Sequence, residues 1–280
     1  MIKAGMKYKI IMFIVMVLGA VFMIYPLLWM ISRSFTPELL IFQSQSLLIP
    51  EFTLENYVRG LRGVAGTTFF RYLGNSFSVV LPVVVGTLFS SSMVGFAVAR
   101  LDFPGKNIVY TLIFLTMMIP IHAVLIPRYI MFHTFGLLDT YLPLTLPSFF
   151  GVQGFFCYLF IQFMRGIPRE LDEAATVDGC GPITIYLRII CPLTVPAFLT
   201  SAIFAFIWTY DDFFSHLIYI SNPTRMTLAL ALRQYIDAFE MSAFGVLFAV
   251  STLSLIPVFL IFVSCQKYLV EGIATTGMKG

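Results

Sequence analysis

Charge is what this sequence has least of. Only 11% of its 280 residues are Asp, Glu, Lys or Arg, less than half the ~25% usual for a globular domain. A chain this poor in charge does not cover a water-facing surface. Hydrophobic residues make up 59% and the mean hydropathy is +0.92. A soluble enzyme or soluble binding domain is therefore excluded. Disorder is excluded by 30 Phe and 13 Tyr. The net charge of +3 gathers into no basic stripe, so nucleic acid is not a partner. Cysteine is sparse too: Cys157, Cys180, Cys191 and Cys265 form no C-x-x-C pair and read as space-filling thiols. The chain lacks a G-x4-G-K-[ST] loop, an H-E-x-x-H pair and any Cys/His cluster, and Gly105-Lys106 runs into Asn107 without the upstream glycine. No catalytic residue, metal site or cofactor is expected, and the chain is not expected to be an enzyme.

Long apolar runs take the place of charge. Six segments contain no Asp, Glu, Lys or Arg: 10–32, 72–99, 107–127, 140–164, 189–210 and 241–266. Each exceeds the ~20 residues that a helix needs to cross a bilayer. They are apolar throughout rather than alternating, which favours helices over membrane strands. The first run follows Lys3, Lys7 and Lys9 as a signal peptide would, but it holds 23 residues and no A-x-A site follows it. It reads as an uncleaved span. The sequence thus predicts one all-α transmembrane domain over 1–280, with six spans and both termini cytoplasmic. All six lysines fall on the inner side of this topology, as the positive-inside rule asks, although seven of the eleven arginines fall outside.

Two loops stand out. The outer segment 33–71 carries Pro37, Pro50, Gly60, Gly63 and Gly66, and predicts short helices and turns. The inner segment 165–188 is dense in charge. Pro168 suits a first helical position, and Glu170, Asp172 and Glu173 suit a helix N-terminus. Gly179 and Gly181 suit a stop. A helix is expected at about 168–178, with Leu171, Ala174, Ala175 and Asp178 on one face. Its two alanines would let another surface approach closely.

Within this loop run Glu173-Ala174-Ala175, then Gly179, Ile189 and Pro192. That spacing resembles the EAA motif of binding-protein-dependent ABC importer permeases, EAA-x3-G-x9-I-x-L-P. Cys191 stands where Leu is usual. Further fragments resemble the carbohydrate branch of that family, the maltose-type second permease. They are Arg100-Leu101-Asp102-Phe103-Pro104-Gly105-Lys106, Met117 to Pro120, Ile126 to Tyr129, Gly136 to Thr140, Ile167 to Leu171, and Gln266 to Gly280.

The resemblance implies a type I ABC importer permease fold with a cytoplasmic coupling helix. It implies that energy comes from two ATP-binding subunits. Glu173, Ala174, Ala175, Asp178, Gly179, Ile189 and Pro192 would form the docking element. Partners would include a second homologous permease, an extracytoplasmic substrate-binding protein, membrane lipid, and a sugar or oligosaccharide as cargo. The alternatives are a polyol or glycerol phosphate carried by the same machine, or an ATPase-independent channel or secondary transporter.

Trp208-Thr209-Tyr210-Asp211-Asp212-Phe213 resembles the family's W-N-x-F segment, so Tyr210, Asp211, Asp212 and the nearby Asn75 are candidates for the substrate path. They stand against a plain position at the membrane interface. Ser91, Gly95 and Ala99 form a small-residue stripe suited to packing against another helix. Pro120, Pro127, Pro143 and Pro147 either kink helices or end them. His122 and His133 receive no role.

Overall fold

The computed structural model describes residues 6–43, 45–238 and 243–277. Lys3, Lys279, Gly280 and the first two positions of the sixth run lie outside the described residues. Among the described residues there is no strand, only the bridge between Val64 and Thr67.

Helix α1 (Met6–Ser34) carries the first run and is exposed along almost its whole apolar length. Such a surface demands hydrocarbon or another membrane protein around it. The next loop contains one 3-10 turn and α2 (Glu55–Arg62). Helix α3 (Phe69–Arg100) is unbroken over 32 residues. The third run divides into α4 (Lys106–Met118) and α5 (Leu125–Thr134). The fourth holds α6 (Leu142–Thr145), a 3-10 stretch and α7 (Gly154–Arg165). Then come α8 (Glu170–Val177), α9 (Pro182–Ile185), a π-helical turn over Tyr186–Ile190, α10 (Cys191–Leu193) and α11 (Val195–Tyr210). The chain closes with α12 (Phe214–Tyr219), α13 (Leu228–Ala238) and α14 (Phe244–Gly277).

Among the described residues, four stretches are long and apolar enough to span alone, and two bent pairs raise the number to as many as six. The third and fifth runs, read as continuous from sequence, are therefore bent. Pro120 forces extended geometry on Ile119, which ends α4. The fifth bends by 76° beside Thr194. Pro192 and Pro196 flank that residue and remove two backbone donors. The Thr194 N–H and hydroxyl both donate to the Ile190 carbonyl, at 3.0 and 2.8 Å. Pro127 is in the first turn of α5, Pro143 in that of α6, and Pro147 at the start of the 3-10 stretch, whereas Pro26, Pro82 and Pro257 lie inside α1, α3 and α14.

The chain divides into two compact units, Met1–Arg71 with Ala231–Ile256 and Tyr72–Leu230 with Pro257–Gly280. In the first, buried polar groups lock the end of α1 to the loop after it. The Arg33 guanidinium donates to Ser46 O. Asn56 Nδ2 donates to Ser34 O at 3.0 Å and Thr36 O at 2.9 Å. The Glu38 carboxylate accepts from Phe244 N and Gly245 N at 2.8 and 2.9 Å, and so satisfies the open N-terminus of α14.

In the second unit the small-residue stripe meets α7. A Cβ added at Gly95 would stand 2.5 Å from Phe160 Cβ, and Ala99 shares a core with Phe160 and Met164. Loop 221–226 is pinned from several directions. Asp139 Oδ1 accepts from Ser221 N and Asn222 N, and Tyr141 Oη donates to Arg225 O. His216 is 2% exposed, with Nδ1 bonded to Asp212 O. Burial holds its pKa below the ordinary value, against the pull of the neighbouring Asp212 carboxylate.

These contacts set two measurable outcomes. Glu38→Ala leaves two part-buried N–H groups without their acceptor and should destabilise the protein by about 1 kcal/mol, read as a lower melting temperature in detergent. The lowered His216 pKa means that the unfolded chain binds its proton first. Stability held at neutral pH should therefore be lost as pH falls below about 6.5. Melting between pH 7.5 and 5.5 should show a smaller acid loss in His216→Gln than in the parent; equal slopes would refute this.

Candidate functional site

The charged loop folds around α8. Helix α7 ends in a turn, with Gly166 N donating to Phe163 O and Ile167 N to Met164 O. Asp172 N and Glu173 N both donate to Arg169 O, so the helix begins at Glu170. Pro168 lies two residues ahead of it rather than at its first position. The three carboxylates of Glu170, Asp172 and Glu173 sit in the first turn, where the helix dipole favours them. Gly179 closes the helix at φ +82°, with its N–H on Thr176 O and the Cys180 N–H on Ala175 O. Pro182 then opens α9.

The two alanines of the motif differ in burial. Ala175 is buried in a cluster with Phe96, Ala99, Phe160, Met164 and Ile190, and Ile189 packs against it. The close approach that Ala175 permits is thus to the chain's own core, not to an outside surface. Glu173, Ala174, Asp178 and Gly179 are exposed, as is Pro192. Beside them, Leu171 is 41%, Val177 88% and Ile183 75% exposed.

Helix α8 is also held by charge. Arg100 Nη1 lies 3.2 Å from Asp172 Oδ2, and Arg100 Nη2 donates to Ile167 O at 2.8 Å. Arg169 donates to Ala99 O at 3.5 Å. Arg100, Arg169, Asp172, Glu173, Thr176 and Val177 line a depression of about 430 Å³. Sequence reasoning missed the Arg100–Asp172 pair because no spacing links residues 72 positions apart. The available signal was an arginine ending one span and an acid beyond the expected dipole role.

The residues around the end of α11 separate into two groups. Tyr210 is buried, stacked on Phe206 at 5.5 Å and set against Phe77 at 6.4 Å. Asn75 is buried with its Nδ2 donating to Thr224 O at 2.9 Å and Met226 O at 2.8 Å. The contacts of the two are ring packing for Tyr210 and loop anchoring for Asn75. Asp211 and Asp212 line a cavity of about 320 Å³ with His122, Trp208 and Phe214. Desolvation raises the Asp211 carboxyl above its ordinary range. Asp212 Oδ1 accepts from Ser215 N at 3.0 Å and so caps the start of α12. His122 packs edge-on against Phe214 at 5.5 Å. Its place in this cavity was not legible, because it comes from the broken third run. Among the described residues no cluster of His, Cys, Asp and Glu is arranged to hold a metal ion.

Comparison with known proteins agrees with this architecture. The chain is 32% identical over 228 residues to the arabinooligosaccharides transport system permease protein AraQ of Bacillus subtilis, covering 81% of this chain and 79% of that one. It is 29% identical to the sn-glycerol-3-phosphate transport system permease protein UgpE of Brucella abortus, covering 94% and 95%. The crystal structure of a bacterial ABC transporter involved in the import of the acidic polysaccharide alginate contains a chain of the same fold, with TM-score 0.81 at 22% identity over 93% of this chain and 96% of that one. Residues 91–275 match the family described as binding-protein-dependent transport system inner membrane component. An all-helical chain with up to six spans and an EAA loop on a helix belongs to that family, and is an integral membrane permease of the ABC importers.

Proposed function

We propose that this permease forms half of a pathway that imports a neutral sugar or oligosaccharide, and that α8 is where the ATPase engages it. The other half is a second, homologous permease. Two ATP-binding subunits sit on the cytoplasmic side, an extracytoplasmic binding protein delivers the cargo, and the chain itself performs no catalysis. Both termini and α8 face the cytoplasm in this reading, with Lys7, Lys9, Arg100, Lys106, Arg165, Arg169 and Lys267 on that side.

The observation that carries the docking role is the exposed face of α8. Val177 stands in the open one turn after Glu173, and Ile183 of the following α9 is exposed as well. Covering such side chains contributes roughly 1.5–3 kcal/mol each. A desolvated pair between Glu173 and an arginine of the ATPase adds couplings of about 1.5–7 kcal/mol. A dipole role for Glu173 alone is smaller, at about 0.3–1 kcal/mol. Ala174 leaves room for the approach, Gly179 makes the turn and Asp178 lies on its rim. Ile189 holds the base through the core, and Pro192 begins the path into the fifth span.

Cargo chemistry rests on the cavity beside α11. Trp208 and Phe214 offer faces for a sugar ring, and Asp211 and Asp212 offer acceptors for its hydroxyls. Two carboxylates disfavour an anionic phosphate, which weighs against the cargo named for the glycerol-phosphate relative and towards that named for the arabinooligosaccharide one.

Glu173→Ala should reduce retention of the ATPase subunit on the tagged, gently purified complex and lower transport, with little change in melting temperature. Full retention with normal transport would overturn the docking role. In reconstituted vesicles, Asp211→Asn should lower sugar uptake about 10-fold, the loss of roughly one charge-assisted hydrogen bond of 1.5 kcal/mol, with stability unchanged. Asn75→Ala should do the reverse and lower the melting temperature through its two abandoned carbonyls. Glycerol-phosphate uptake exceeding that of every sugar tested would move the cargo assignment to the other class.

A further inference from the structure

The connections of α8 to the rest of its unit differ in kind. Towards the C-terminus the chain leaves α8 through a π-helical turn at Tyr186–Ile190 and then bends by 76° before α11. A helix broken in this way absorbs displacement. The other connection is not covalent. Arg100, the last residue of α3, holds Asp172 Oδ2 at 3.2 Å and Ile167 O at 2.8 Å, while Arg169 reaches back to Ala99 O. Ala175 packs into the same cluster as Phe96 and Ala99. Thus the inward face of α8 is joined by charge, hydrogen bonds and packing to the last turn of α3.

Helix α3 runs continuously from that joint for 32 residues, with Pro82 inside it, about 48 Å at 1.5 Å per residue. Near its other end Asn75 grips Thr224 O and Met226 O, and Ser76 Oγ accepts from Leu228 N at 2.9 Å. One continuous helix therefore has α8 fastened at one end and loop 224–228 at the other. The fastening also has slack. Arg100 Nε and Asp172 Oδ1 are buried without a hydrogen-bond partner. A bidentate fork would use both atoms, so the pair can re-form in a second geometry without coming apart.

We propose that the Arg100–Asp172 pair is the joint through which displacement of α8 reaches α3, and through α3 the loop at 224–228. Arg100 and Asp172 are positioning residues: neither is placed on cargo or nucleotide. The proposal rests on α8 being the contact with the ATPase. It goes beyond that contact by naming the span that receives the motion and the residues that pass it on.

The test uses the complete transporter in proteoliposomes, with ATP hydrolysis and sugar uptake measured together. Asp172→Asn and Arg100→Gln should keep the ATPase bound yet lower uptake per ATP by about 2- to 30-fold, the range for residues that carry coupling between sites. The exchange of Arg100→Asp with Asp172→Arg should recover part of that loss. A thiol probe on Thr224→Cys, in a chain whose four native cysteines are replaced, should change its labelling rate on ATP addition in the parent and not in Asp172→Asn. A purely stabilising ion pair would not affect that difference. If the single variants fail to assemble, Arg100→Met with Asp172→Leu removes both buried charges and should restore assembly while uptake per ATP stays low.

Normal uptake per ATP in the single variants, or in the uncharged pair, overturns the proposal, as does an ATP-dependent labelling change that survives Asp172→Asn. ATPase retention after Glu173→Arg would instead remove the docking reading, and this inference with it.

Discussion

Everything in this chain is arranged around one demand: in hydrocarbon a backbone N–H or C=O must find its partner inside the protein. A long helix meets it almost wholly within itself, as in α1, α3 and α14, each of which gives up one backbone donor at an internal proline, Pro26, Pro82 and Pro257. Every departure requires a substitute partner, and the substitutes identify themselves. At the bend before α11, the Thr194 N–H and hydroxyl both turn to the Ile190 carbonyl, and the Ala197 and Phe198 N–H groups turn to the Thr194 carbonyl. At the break before α7, Cys157 N donates to Gln153 O while its thiol reaches Gly151 O at 3.4 Å. After Pro120, Ala123 N returns to the Pro120 carbonyl. The breaks are therefore closed locally and stay compatible with an apolar surround.

The same logic places the polar side chains. Asn56, Asn75, Asp139 and Glu38 are dispersed in sequence, and each spends its polar atoms on two backbone groups of a distant segment. A single side chain thereby fixes a loop that has no regular structure of its own. This explains why Asn75 reads from sequence as a candidate for cargo and turns out to be an anchor. A buried amide whose Nδ2 already holds two carbonyls is fixed by the loop it anchors. Asp211, exposed at the cavity edge, has its acceptors available.

The parts of the fold that were legible in sequence are those set by local composition. Apolar runs of 21 to 28 residues announce spans, and three acids followed by a glycine announce a helix with a start and a stop. The parts that were not legible are set by long-range packing. The continuity of an apolar run does not reveal a bend, because a broken helix is as apolar as a straight one. Helical spacing put Ala174 and Ala175 on one face, yet adjacent residues stand about 100° apart. That angle is enough to send Ala175 into the core and leave Ala174 in the open. Arg100 and Asp172 belong to two separate charged loops in sequence and meet only once α3 and α8 are packed.

That meeting also bears on why the motif loop is helical at all. Eight residues make an isolated helix that is not stable in water, so α8 persists only because it is held from outside. Ala175 supplies little buried area, being small, and could not hold it alone. The remaining hold comes from Arg100, whose side chain is almost wholly buried and whose two amino groups are committed to Ile167 O and Asp172. Removing one partner from such a pair leaves a charge stranded in a dry site, a far larger penalty than the pair's own net contribution. A short exposed helix that must press on another protein needs that kind of asymmetry: weak enough intrinsically to be repositioned, but tied so that it moves with α3 instead of unravelling.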